Sequence, residues 1–204
     1  MNKKMQISFI LDETGSMEAF KSQTISGFNE YVETLRRDKN SQGALFTLTK
    51  FNSDKVEIVH QGIALADVVL LDDKNYHPNM NTPLYDAVGR TINAIKSKKG
   101  EMVLVIIQTD GQENASQEFT RTTIFDLIEQ KKKDGWTFVF LGADQDAYAA
   151  SDKMGIPVGN TANYTGAKTG AMMNRVAMAS VNYTSRGGTP TEDFFSDADD
   201  KDIV

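Results

Sequence analysis

The chain has 204 residues, 40% of them hydrophobic and 25% charged, which is enough for one globular domain with a real core and cramped for two. Its net charge of −6 is unevenly placed: residues 191–204 carry six acids against one base, leaving residues 1–190 with 22 acids, 21 bases and no broad electrostatic footprint for nucleic acid. Cysteine is absent and only His60 and His77 are present, which excludes disulfides, thiolate or multi-histidine metal centres and cysteine nucleophiles.

Met5–Leu11 is a short apolar run of strand formers ending in an acid, and predicts a buried strand. Phe20, Ile25, Phe28, Tyr31, Val32 and Leu35 then recur at helical spacing, predicting an amphipathic helix over Met17–Arg37. Ala44–Phe51 and Val56–His60 flank the Asn52-Ser53-Asp54 turn and predict an antiparallel hairpin. Residues 61–83 read as irregular, and Leu84–Lys98 as a helix closed near Gly100 by lysines that suit a helix C-terminus. Met102–Ile107 is the most apolar run and the expected central strand. A helix over Ile124–Lys133, a strand over Trp136–Leu141, a short helix over Asp144–Met154, an edge strand within Pro157–Tyr164 and a helix over Lys168–Asn182 complete the pattern. This alternation predicts an α/β fold: a mainly parallel central sheet with one antiparallel edge strand and helices on both faces. Residues 185–204, with Gly187, Gly188, Pro190 and the six acids, read as a disordered acidic tail on a 1–184 domain. Within that tail Phe194-Phe195 either packs on the domain or becomes ordered on a partner or a second copy. No stretch approaches the roughly 18 apolar residues of a membrane span, and the opening run is too short for a secretory signal, so a cytoplasmic chain is expected.

In sheets of this kind function gathers at the carboxyl ends of the strands. Three oxygen-bearing segments fall there: Asp12-Glu13-Thr14-Gly15-Ser16-Met17 after the first strand, Asn81-Thr82-Pro83-Leu84-Tyr85-Asp86 at the start of the middle helix, and Thr109-Asp110-Gly111 after the central strand. Asp12-x-Thr14-x-Ser16, followed in order by Thr82 and Asp110, resembles the metal-ion-dependent adhesion site of von Willebrand factor A domains, with Thr14 standing where the family's first serine would be. The stretches FILDETGSM, ISGFNEYV, NTPLYDAVGRTINAI, VIIQTDGQENAS and GWTFVFLGADQDAYA extend the likeness to small bacterial and phage proteins of that family over roughly residues 5–180. The resemblance implies a Rossmann-like fold and a protein-binding module. Its cation, held by Asp12, Thr14, Ser16, Thr82 and Asp110, partly through water, would take a partner's Asp or Glu as its last ligand. An all-oxygen donor set with two carboxylates suits Mg²⁺ or Mn²⁺ better than zinc. The expected rim is Glu13–Met17, the Tyr76–Thr82 loop and Gly111–Ser116, with apolar contact from Met17 and Tyr76; self-association is a further expectation. Glu13 and Glu113 are expected to face solvent, His77 to sit on a surface loop, and His60 to have no role.

One enzymatic alternative exists. Asp12-Glu13-Thr14-Gly15-Ser16 also resembles the nucleophile motif of haloacid-dehalogenase-type phosphotransferases, and Leu141-Gly142-Ala143-Asp144-Gln145-Asp146 their late acidic motif. Asp12 would then attack phosphorus, with Asp144 or Asp146 on Mg²⁺. That reading leaves the Thr82 and Asp110 segments unexplained, and Ala143 interrupts the family's Gly-Asp order. Gly166-Ala167-Lys168-Thr169 lacks the Gly-Lys-Thr of a phosphate loop.

Overall fold

Two eight-residue runs with every residue buried, β1 (Met5–Asp12) and β4 (Met102–Thr109), lie side by side in parallel at the middle of a six-stranded sheet. The computed structural model describes residues 5–98, 100–143 and 146–196. The remaining strands are β2 (Leu45–Phe51), β3 (Val56–Ala64), β5 (Trp136–Ala143) and β6 (Thr161–Tyr164), and the order across the sheet is β3-β2-β1-β4-β5-β6. Five strands are parallel, and only β3 runs antiparallel, on β2 at the edge. The hairpin and the parallel sheet are therefore as expected.

The two-residue period of each strand divides the core into two layers. Ile7, Phe9 and Leu11 of β1, with Leu104 and Ile106 of β4, meet α1 (Lys21–Arg37) and α5 (Thr169–Ser185). Ile10 of β1, with Val103, Val105 and Ile107 of β4, meets α2 (Leu84–Ala94), α3 (Arg121–Lys133) and α4 (Ala147–Asp152). Phe9 anchors the first layer, with the rings of Phe28 and Tyr31 each 5.4 Å from its own. Among the described residues no helix is long and apolar enough to cross a membrane.

Several boundaries differ from the sequence expectations. α2 stops at Ala94 rather than Lys98, because Ile95 turns extended (ψ 118°) and Gln6 Nε2 on β1 claims the Lys96 carbonyl at 3.0 Å. β3 runs on to Ala64, and its register against β2 shifts beside Leu48. α4 occupies only Ala147–Asp152; Asp144 and Gln145 lie outside the described residues.

The largest correction concerns the tail. α5 ends at Ser185, Gly187 and Gly188 take positive φ (71° and 59°), and Gly188 N–H closes on Tyr183 O at 2.9 Å, so the chain turns back onto the domain. Asn160, itself buried, then holds it from both sides: its amide donates to Thr191 O at 2.8 Å and its carbonyl accepts Phe194 N–H at 2.8 Å. Phe194 and Phe195 are buried, with Tyr183 6.1 Å from the Phe194 ring and the Arg175 guanidinium 4.9 Å over Phe195. Residues 186–196 are thus part of the domain, and local packing is the reading of Phe194-Phe195 that holds. Burial of two aromatic rings outweighs the acids that made the segment look disordered. Asp197, Asp199, Asp200 and Asp202 lie outside the described residues.

Phe194→Ala is expected to cost about 3 kcal/mol, as large-to-small core changes do. Urea unfolding followed by far-UV circular dichroism measures it; a change of under about 0.5 kcal/mol would show the segment to be a bystander.

Candidate metal centre

β1 and β4 are in register, Leu11 opposite Gln108, so the residues following each emerge together at one edge of the sheet. Asp12, the last residue of β1, has no exposed surface. Its Oδ1 accepts the Thr14 N–H at 2.7 Å and its Oδ2 accepts the Thr109 hydroxyl at 2.5 Å. From there a chain of oxygens runs outward: Thr14 Oγ1 is 3.3 Å from Ser16 Oγ, and the exposed Ser16 hydroxyl donates to Asp110 Oδ1 at 2.6 Å. Thr82 closes the rim from the loop just before α2. It is buried against Gly111, where an added Cβ would stand 2.8 Å from Thr82 Oγ1. The Asn114 side chain accepts Thr82 N–H at 2.9 Å, and Asn114 N–H returns to Thr82 O at 3.1 Å. All five residues singled out in the sequence therefore stand at one rim.

The loops around them are held by carboxylates that serve as acceptors. Glu13 is buried rather than solvent-facing: it pairs with the buried Lys50 at 2.9 Å and accepts His77 N–H at 2.6 Å. Lys50 also donates to Asn75 O at 2.5 Å, so the one lysine at the back of the site is committed to Glu13 and the neighbouring loop. Glu113 is half-buried and accepts from Tyr85 N, Ala115 N, Ser116 N and Ser116 Oγ at 2.6–2.9 Å, joining the start of α2 to the loop after β4. Asp86, which the sequence left without a role, receives the N–H groups of Gln117, Glu118 and Phe119 at 2.8–2.9 Å. Thr109, next to Asp110, is the other residue missed; a hydroxyl one place before a strand-end Asp was the available signal.

The rim also differs from expectation. Met17 and Tyr76 belong to the interior, and the Tyr76 hydroxyl donates to Asp12 O at 2.7 Å. Met80 is the exposed apolar residue instead, 56% accessible and held at φ 64°, with its carbonyl accepting Gly15 N–H at 3.0 Å. The His77 ring faces Lys74 O at 2.8 Å, while His60 Nε2 accepts Val69 N–H at 3.2 Å and so has a structural role.

Burial pushes the Asp12 carboxyl up to about 7 from the ordinary 3.8; the hydrogen bonds from Thr109 and Thr14 lower it and the neighbouring Asp110 raises it further. A positive charge brought beside Asp12 would lower it again. The donor set of the cluster fits a hard divalent cation. Ligands at about 2.1 Å in an octahedron stand about 3 Å apart, and the 2.6 and 3.3 Å oxygen separations at Ser16 bracket that edge. Among the described residues there is no cluster of three or more His, Cys, Asp or Glu, so a cation here would rely on hydroxyls and water beside the two carboxylates.

Two outcomes follow from this geometry. Between pH 3.8 and about 7 the folded chain retains the Asp12 proton that the unfolded chain has lost, so stability from this group falls as pH rises through that window. In chelator, the stability of wild type should drop by about 3 kcal/mol more than that of Asp12→Asn between pH 4 and pH 8, measured by urea unfolding; parallel profiles would refute the assignment. Gly111→Ala should displace the Thr82 hydroxyl and weaken Mg²⁺ binding at least tenfold while changing the melting temperature little.

No family model and no curated protein matches the chain. Solved structures do. Proximal thread matrix protein 1 from the mussel byssus superposes with a TM-score of 0.66 at 15% identity over 88% of this chain, which spans only 46% of that one. A structure of the same mussel protein with zinc occupying its MIDAS motif gives 0.57 at 13% identity, over 85% of this chain and 47% of that chain. The vWF domain of the type V pili tip protein Mfa5 from Porphyromonas gingivalis gives 0.68 at 10% identity, over 89% of this chain and 96% of that domain. Identities this low speak for the fold, and with the sheet order and the single antiparallel edge strand they establish that this chain has the von Willebrand factor A fold.

Proposed function

We propose that the protein is a metal-dependent protein-interaction module in which a divalent cation, Mg²⁺ or Mn²⁺, is held by Asp12, Thr14, Ser16, Thr82 and Asp110 and takes a carboxylate from a protein partner. The observation that carries this reading is the run of oxygens from buried Asp12 to exposed Ser16, with Asp110 joined to Ser16 at 2.6 Å. The zinc-occupied MIDAS motif of the mussel protein and the vWF domain of a pili tip protein, both of this fold, support a metal-dependent interaction module. When bound, the cation supplies a Lewis-acidic position for an outside carboxylate. The chain's own part is to fix its ligands: Thr109 and the Thr14 amide orient Asp12, Gly111 sets the position of Thr82, and Glu13 and Glu113 brace the two loops.

The phosphotransferase alternative has little to support it. Asp146 is occupied as the cap of α4, accepting Ala149 N–H at 3.0 Å, and Asp144 lies outside the described residues.

Calorimetric titration of chelator-stripped protein with Mg²⁺ should show one site, and the double variant Ser16→Ala, Asp110→Ala should weaken it by at least a hundredfold. Binding that survives unchanged in that variant would remove the proposed site.

A further inference from the structure

Among the described residues Met80 is the one non-glycine residue with a positive φ, 64°. Side chains other than those of asparagine and aspartate rarely enter this left-handed region, because Cβ crowds the neighbouring carbonyl. Such a conformation persists only where the surroundings impose it, and it gathers at functional sites. At Met80 three loops impose it. Asn79 N–H donates to Glu13 O at 3.0 Å, and Asn79 Oδ1 accepts from Asn52 Nδ2 at 2.7 Å. The peptide that follows Met80 is held on both sides: its carbonyl accepts Gly15 N–H at 3.0 Å, and its N–H, that of Asn81, donates to Ser53 Oγ at 3.2 Å. Thr82 N–H then donates to the Asn114 side chain at 2.9 Å. The chain enters this stretch tied to the loop after β1 and leaves it tied to the loop after β4, with the left-handed turn between.

Gly15 is the other half of the contact. It stands between Thr14 and Ser16, whose hydroxyls are 3.3 Å apart. A Cβ at Gly15 would lie 3.4 Å from Met80 O and 3.6 Å from Met80 N, so the two backbones lie against each other. Thr82 follows two residues beyond Met80. One left-handed residue thus joins the segments that carry Thr14, Ser16 and Thr82. Its side chain is 56% exposed, and none of these hydrogen bonds uses it. We propose that Met80 is a positioning residue of the cation site that acts through its backbone, holding the Thr82 loop on Gly15 and so setting the Thr14, Ser16 and Thr82 hydroxyls as one ligand set. This rests on the metal-dependent reading above. At a negative φ the Met80 carbonyl would turn away from Gly15 for as long as Asn79 and Asn81 keep their partners. Mg²⁺ demands near-ideal octahedral geometry, so hydroxyls on loops freed from each other bind it less well.

Variants should therefore rank by backbone preference and not by apolarity. Glycine enters the left-handed region freely and asparagine readily, whereas a β-branched residue is the most strongly excluded. In chelator, hydrogen exchange of the Gly15 amide, followed by NMR on the full chain, reads the contact with Met80 O without any metal. Calorimetric titration with Mg²⁺ then reads the site. Met80→Gly and Met80→Asn should keep the Gly15 amide protected and hold Mg²⁺ affinity within about twofold of wild type. Met80→Val should speed Gly15 exchange and weaken Mg²⁺ binding about tenfold, the scale of a left-handed turn forced on a β-branched residue. A role for the side chain predicts the reverse order, with valine mild and glycine and asparagine harmful. Loss of Mg²⁺ affinity in Met80→Gly and Met80→Asn would overturn the inference, whether or not Met80→Val folds. So would a folded Met80→Val that binds Mg²⁺ like wild type, or one that loses Mg²⁺ with Gly15 exchange unchanged. In each of these cases Mg²⁺ binding by wild type leaves the metal reading standing; a wild type that binds no divalent cation overturns both.

Discussion

The 2.5 Å hydrogen bond from the Thr109 hydroxyl to the Asp12 carboxylate is the interaction on which the site depends. It fastens the ends of the two central strands, and it does so with a carboxylate that burial has stripped of water. A parallel sheet covered on both faces has little room for ionisable groups except at the strand ends. There an acid must be protonated, hydrogen-bonded or neutralised by a counter-charge. Asp12 has the hydrogen bonds, and the buried Lys50 is committed to Glu13 and Asn75 O. Burial accordingly raises the Asp12 pKa to about 7, which a positive charge brought beside it would lower again.

The rest of the rim is held by the same currency, carboxylates accepting backbone N–H groups. Asp86 on α2 receives three and Glu113 on the loop after β4 three with a hydroxyl, so that loop is tied to the start of the helix. Hydrogen bonds to a charged acceptor are worth more than neutral ones, so a few side chains suffice to hold these loops still. The Glu13–Lys50 pair is different in kind. A buried ion pair adds little net stability, yet losing one partner leaves an uncompensated charge at a cost of about 3–5 kcal/mol. Its effect is to make the loop carrying Met80 and the loop carrying Ser16 one rigid unit.

The sheet was legible in the sequence because its strands are unbroken apolar runs, and the five rim residues because three short oxygen-bearing segments fell in order at strand ends. The residues that brace them were not. Glu13 looks like a surface acid until Lys50, 37 positions later, is folded against it, and Asp86 acquires its role only when residues 117–119 arrive. The C-terminal segment misled for a related reason. Its composition is that of a solvated tail, and the group that captures it, Asn160, lies 34 residues upstream of Phe194 with nothing local to announce the pairing. Composition reports what a segment prefers alone; it is silent on a distant partner with both a donor and an acceptor to offer.

The separation of the rim residues along the chain has a consequence for how the protein comes into being. Asp12 meets Thr109 across 97 residues and Ser16 meets Asp110 across 94. Closing so long a loop is entropically costly and is repaid only when β1 and β4 pair, a slow, non-local step in folding. No helix or hairpin formed early contains more than a fragment of the five rim residues. During synthesis the amino-terminal half, with Asp12, Thr14 and Ser16 already made, cannot assemble the rim until the chain has reached β4. Assembly of the rim and completion of the central sheet are thus a single event, and a chain that is half-made or locally unfolded between the two strands presents no assembled rim.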